Sequence, residues 1–200
     1  MTGIDWSKFD KNTGHLELND SGITEMNWEG APSGLIRVFL KNNKITEMNW
    51  ESAPNGLYWV DLTGNQITEI SWKGVPDDLK GIRLDNNKIT EMNWVGAPSS
   101  IEEVYLNGNG ISEMKLDGSP SSMCDLELGN NKITEMNWIG STSELNSVKL
   151  QSNKITRVNW EGSNNLMYLD FSYNLFDEME WLGAPESLIE VKAFSDIVVL

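Results

Sequence analysis

The side chains able to do chemistry in this chain of 200 residues are scarce where catalysis needs them. There is one histidine, His15, and one cysteine, Cys124. No second imidazole can share a metal or relay a proton with His15, and no disulfide can close within the chain. The segment Gly108–Ser112, GNGIS, has glycines but neither the spacing nor the lysine of a phosphate loop. Acidic residues are plentiful, yet they fall in a column: Glu25, Glu47, Glu69, Glu91, Glu113, Glu135 and Glu178, interrupted by Arg157. Lys44, Lys88, Lys132 and Lys154 lie beside them. Such a stripe reads as a solvated face, because the loop spacings of calcium-binding motifs are absent. The residue types therefore predict no enzyme, no cofactor and no metal.

The acidic column has its regularity from a repeat. NNKITEMNW occurs at Asn42–Trp50, Asn86–Trp94 and Asn130–Trp138, with edited copies at Gly64–Trp72 and Ser152–Trp160. Trp28, Trp50, Trp72 and Trp94 are spaced by 22 residues. A fixed period in this range is the mark of a solenoid, in which each repeat is one supersecondary unit stacked on the last. Between the copies runs an apolar pattern, for example Leu57, Val60, Leu62, Asn65 and Ile67. One period later it reads Leu79, Ile82, Leu84, Asn87 and Ile89. The Val-x-Leu alternation puts two apolar side chains on one face of a short strand. The asparagines Asn43, Asn65, Asn87, Asn109, Asn131, Asn153 and Asn174 fall where the chain turns off the strand. A buried amide there can satisfy backbone groups that the bend leaves unpaired.

The rest of each period is an outer wall. Tryptophans form a column at Trp6, Trp28, Trp50, Trp72, Trp94, Trp138, Trp160 and Trp181, with Leu116 standing in once. All six prolines share another: Pro32, Pro54, Pro76, Pro98, Pro120 and Pro185. A small residue lies two places before each, which predicts an irregular or extended wall rather than a helical one. Gly110 and Leu116 break the pattern, and the step from Trp160 to Leu166 is one residue short. These defects read as natural drift after duplication.

The LxxLxLxxNxI pattern, held in register from Leu16 to about Val191, resembles the leucine-rich-repeat family. The resemblance implies an α/β-type leucine-rich-repeat solenoid, a curved right-handed horseshoe with a parallel sheet on the concave face. The W-x-G-x-P wall departs from the family's usual helical side, so little α-helix is expected. Residues 1–14 read as an N-terminal half-repeat, 15–191 as about eight repeats and 192–200 as a C-terminal strand and tail. Ile197, Val198, Val199 and Leu200 end the sequence on bare aliphatics, and self-capping over the last repeat is the expectation. If the ends are uncapped instead, they offer a route to homo-oligomers.

Function, by the same resemblance, belongs to the outward positions of the concave sheet, where a protein or peptide partner would bind. There Asp61–Arg83 and Glu127–Lys149–Asp170–Lys192 alternate in sign across neighbouring strands, as cross-strand pairing favours. Phe39, Trp59 and Tyr105 are expected to project into solvent, with Tyr168 and Tyr173 as a second group. Exposed aromatics beside arginine have the composition of binding hot spots. The candidate partner-binding residues are Arg37, Phe39, Trp59, Asp61, Arg83, Tyr105, Tyr168 and Tyr173. The alternatives are a surface or secreted module recognising carbohydrate or a host protein, and a self-assembling structural repeat. A formal charge of −15 and a pI near 4.4 argue against nucleic acid and anionic membranes. No apolar run is long enough for a membrane helix. One cysteine and the lack of an apolar leader segment lean towards an intracellular setting.

Overall fold

In the computed structural model, residues 3–157, 159–176 and 181–193 are described, with the backbone of Ile197–Val199. Glu178 of the acidic column and Leu200 of the tail lie outside the described residues. Nine three-residue strands come from nine successive periods: β1 (His15–Glu17), β2 (Arg37–Phe39), β3 (Trp59–Asp61), β4 (Gly81–Arg83), β5 (Glu103–Tyr105), β6 (Asp125–Glu127), β7 (Ser147–Lys149), β8 (Tyr168–Asp170) and β9 (Glu190–Lys192). They form one sheet in sequence order, all parallel, each residue facing its counterpart one repeat on. The short repeat keeps this register, with Ser147 opposite Tyr168. Its missing residue comes out of the outer turns, where Leu166 N–H still closes on the Ser163 carbonyl at 3.2 Å. The tail supplies β10 (Ile197–Val199), which pairs antiparallel with β9. It thus adds to the chain's own sheet.

Each of β1 to β9 buries its central residue and turns its two flanking residues away from the core. Val38, Val60, Ile82, Val104, Leu126, Val148 and Leu169 are completely buried. At the end of each strand the chain bends away, and a parallel neighbour cannot pair the backbone groups at the bend. The asparagines fill that gap. Asn87 accepts from Ile67 N–H at 3.0 Å and donates to the Leu62 and Leu84 carbonyls, both at 3.0 Å. Asn65, Asn109, Asn131, Asn153 and Asn174 repeat the scheme on their own repeat and the one before. Each rung therefore bonds two turns of the solenoid together.

The outer wall is built from two tight turns per repeat. In one, the tryptophan carbonyl accepts from the N–H three residues on, as from Ala53 to Trp50 at 2.9 Å; in the next, Leu57 N–H closes on the Pro54 carbonyl at 3.0 Å. The first needs a residue with φ > 0, supplied by Gly30, Ser52, Gly74, Gly96, Gly118, Gly140, Gly162 and Gly183. The only helical element among the described residues is a 3-10 turn, Trp6–Lys8, as the W-x-G-x-P reading expects.

The buried indoles form a second ladder. Trp28, Trp50, Trp72, Trp94 and Trp138 each donate Nε1–H to the carbonyl preceding the next position of the column, at 2.6–2.8 Å. Equivalent indoles stack with centroids 5.8–6.2 Å apart. Parallel strands repeat at only about 4.8 Å. A stack whose outer wall has the longer repeat must bend, and it bends with the sheet inside. The concave sheet is thus a consequence of what fills the wall.

The amide rungs generate a first prediction. Asn87→Ala strands the Ile67 N–H, while the Leu62 and Leu84 carbonyls keep their bonds from Asn65 and Asn109, so it should cost about 1–3 kcal/mol, read as a lowered urea midpoint. A loss below about 0.5 kcal/mol would show that water or backbone adjustment replaces the rung.

Candidate binding face

The concave sheet presents three outward columns, and the candidate residues occupy them unequally. Trp59 at the start of β3 is half-buried because it lies flat across β4. It can do so only because β4 begins with Gly81, where a methyl group would collide with the six-membered part of the indole. The ring reaches over to β5, its centroid 6.1 Å from that of Tyr105 with the planes at 56°. From β4, the Arg83 guanidinium carbon sits 4.4 Å above the Tyr105 ring. Trp59, Arg83 and Tyr105 thus form one plate spanning three strands.

Two expectations need correction here. Tyr105 does not project into solvent: it is 7% exposed, covered by Arg83, and its hydroxyl donates to Glu103 Oε2 at 2.6 Å. Burial, reinforced by that carboxylate, holds its phenol above the ordinary range. Asp61 is 1% exposed and pairs with Lys41 Nζ at 3.2 Å rather than with Arg83. It also accepts from Thr63 N–H at 3.0 Å. The Arg83 guanidinium is engaged by the Tyr105 ring, so the aspartate takes its cation from the other side.

The remaining candidates are scattered. Arg37 is exposed, 5.9 Å from the Tyr58 ring centre. Phe39 is half-buried opposite Asp61 in the register. The expected pairing of Tyr168 with Tyr173 is not seen as one group on the sheet. Tyr168 lies on β8 with Lys192 Nζ 5.4 Å from its ring centre, whereas Tyr173 is in the following turn at φ 55°, 70% exposed. Of the alternating charges, Lys149 and Glu127 form an ion pair, but Asp170 accepts from Ser172 N–H and Oγ–H at 3.0 and 2.6 Å.

Lys41, Gly81 and Glu103 are the residues that sequence reasoning passed over, and each proves to position a candidate. The signal for Gly81 was visible: a glycine beside a lone tryptophan in a column otherwise filled by side chains. Next to the plate, β5 and β6 contribute Glu103, Asp125 and Glu127 without a cation of their own. Burial raises the carboxyls of Asp85 and Asp125 above their usual range, and nearby Glu127 pushes the same way. Asp125 still accepts from Ser147 Oγ at 2.9 Å and Asp85 from Asn107 N–H at 2.8 Å. His15 is exposed on the edge strand β1, and the Cys124 thiol is raised by burial and by Glu102. Among the described residues no group of three or more His, Cys, Asp or Glu is placed to hold a metal ion. No helix among them is long and apolar enough to cross a membrane.

The raised carboxyls predict a stabilising substitution. Because the folded-state pKa of Asp125 lies above the unfolded value, the native state holds a proton over a pH range in which the unfolded chain has released it. Stability therefore increases as pH falls through the raised pKa, and the charge penalty is fully present at neutral pH. Asp125→Asn keeps the acceptor for Ser147 and should raise the melting temperature at pH 7. The gain should shrink as pH falls towards the ordinary carboxylate value of 3.8. A lower melting temperature at pH 7 would contradict this.

No protein-family model and no curated protein sequence matches the chain. Solved structures do. Internalin C2 (InlC2) of Listeria monocytogenes superposes with a TM-score of 0.73 at 23% identity, over 91% of this chain and 80% of its own. TLR13, solved as a complex with ssRNA13, gives 0.75 at 21% identity over 90% of this chain and 28% of its own. The internalin InlF of Listeria monocytogenes gives 0.66 at 20% over 88% and 55%. The chain spans between two fifths and about half the length of InlJ, InlF and YopM. A parallel sheet of one strand per period, an asparagine rung at each bend and these superpositions agree: the chain has the leucine-rich-repeat fold.

Proposed function

We propose that the protein is a non-catalytic scaffold that binds a protein or peptide partner on its concave sheet, centred on Trp59. The observation carrying this reading is the indole laid flat over Gly81. Core packing does not require it, since the buried tryptophans occupy the opposite wall. It presents a rigid aromatic surface whose conformational entropy is already lost before a partner arrives, as binding hot spots require. Arg37, exposed beside it, and Phe39 flank the plate. Tyr105, buried as it is, supports the indole rather than touching a partner, and Asp61 is buried against Lys41. Internalins and TLR13 share the fold, and a repeat scaffold of this shape suits an extended ligand.

A protein partner is favoured over nucleic acid by charge. The chain carries 30 acidic and 15 basic residues, and the central strands of the sheet are acidic. A phosphate backbone would meet Glu103, Asp125 and Glu127 next to the plate.

A displayed library of random peptides, selected on the wild-type protein, tests this reading. Selected peptides should lose at least about tenfold affinity for Trp59→Ala, a loss expected of a hot spot. Gly81→Ala, which lifts the indole, should weaken them similarly while circular dichroism and melting stay near wild type. Peptides that bind both variants as well as wild type would remove the concave plate from the function.

A further inference from the structure

Two irregularities of the outer wall coincide at one place. The first is Leu116, the single interruption of the buried indole column. Trp6, Trp28, Trp50, Trp72, Trp94 and Trp138 each send an indole N–H to the carbonyl of the residue before the next position of the column; at Leu116 the corresponding acceptor is the Asn137 carbonyl. No hydrogen bond reaches that oxygen among the described residues. The second lies one position further along. The residue after each tryptophan is charged at Glu29, Glu51, Lys73 and Glu161, as is Asp117 after Leu116. Val95, Ile139 and Leu182 break that column with exposed aliphatics, at 83%, 70% and 95% exposure, and the first two lie on either side of Asp117.

Between them lies a groove of about 620 Å³, lined by Trp94, Val95, Leu116, Asp117, Asn137 and Ile139 among others. The wall has closed up on its far side. A Cβ on Gly140 would lie only 2.5–2.9 Å from the backbone of Leu116 and Asp117, against 3.8 Å and 4.0 Å to the Trp72 and Trp94 Cβ atoms for Gly96 and Gly118. Gly162 also comes close to its tryptophan, at 3.1 Å from the Trp138 Cβ, so the approach is greatest at the leucine without being confined to it, and the groove opens beside Leu116.

What fits there follows from the chemistry of its walls. Two exposed aliphatics want an apolar body. The Asn137 carbonyl wants an N–H donor, which an indole combines with that body. Lys115 also lines the groove but is paired with Glu113 at 3.0 Å; Asp117 has no ion pair among the described residues and sits between the aliphatics, so a cation belongs next to the apolar group. The chain's net charge of −15 favours the same sign of partner at longer range.

We propose that the groove at Leu116 is a second docking site, on the convex wall, for a partner segment carrying a tryptophan flanked by basic residues. It is separate from the concave plate and does not rest on binding there.

The probe is the blocked tripeptide N-acetyl-Lys-Trp-Lys-amide, followed through the methyl NMR signals of Val95 and Ile139 in the intact chain. Saturable shifts confined to these methyls and their neighbours are expected. Replacing the probe's tryptophan with 1-methyltryptophan, which lacks the N–H, should weaken binding several-fold. Val95→Gln and Ile139→Gln remove the aliphatic surface without adding a charge that would attract the cationic probe, and at positions this exposed both should fold. Each should weaken the probe at least about fivefold, the loss of about 1 kcal/mol of apolar contact. Trp59→Ala should leave the probe's affinity unchanged, which keeps this result distinct from any failure of the concave reading. Absent shifts, equal affinity for the methylated probe, or equal affinity for the two glutamine variants would each overturn the proposal.

Discussion

The structure depends on how a chain that leaves a parallel sheet at every turn satisfies its backbone. A strand of three residues pairs with its neighbours, but the bend after it exposes carbonyls and an N–H to an apolar interior, where each unpaired group costs on the order of 1–3 kcal/mol. One asparagine per repeat resolves this, with its amide oxygen on one repeat and its amide nitrogen on two. Because each amide reaches the preceding repeat, no single repeat satisfies itself. Cooperativity is therefore wired through polar groups as well as through the leucine core, and the stack is stable only as a stack.

Shape follows from a different constraint. The backbone fixes the repeat of the sheet, whereas the side chains fix the repeat of the wall. Stacked indoles hold the wall near 6 Å per turn, and their N–H groups tie each turn to the next. The turn at Gly140 closes in furthest, where leucine takes the place of an indole, and the turn at Gly162 over Trp138 comes next. Curvature in this molecule is thus a local property, set rung by rung by the volume behind the sheet.

Much of this was legible in the sequence because it lies in columns. Period, strand positions, amide rungs, turn glycines and the absence of helix all follow from residues that must be alike in every repeat. The outward face of the sheet was legible only as a set of positions. Column membership says which side of the sheet a residue faces, but not which neighbour it leans on. Asp61 could have met Arg83 or Lys41, and the choice was made by Tyr105, which engaged the arginine from the far side. Trp59 read as a side chain standing in solvent, yet it lies down because its neighbour is glycine. Tyr173 was grouped with Tyr168 by proximity in sequence, although the bend between them puts it in a turn. Such outcomes depend on side chains from three strands at once, and a periodic pattern carries no information about them.

That division has a consequence for how the scaffold can recognise anything. The core positions admit almost no variation, since a changed rung is felt in two repeats. Variation is confined to outward residues, and there its effect is transmitted sideways, strand to strand, rather than inwards. A glycine on β4 decides how a tryptophan on β3 meets a tyrosine on β5. The sheet behind them does not move to accommodate a ligand, because its register is pinned on both sides and by the rungs below. Recognition on such a surface must come from shapes assembled before binding, in which small residues matter as much as the large ones they make room for.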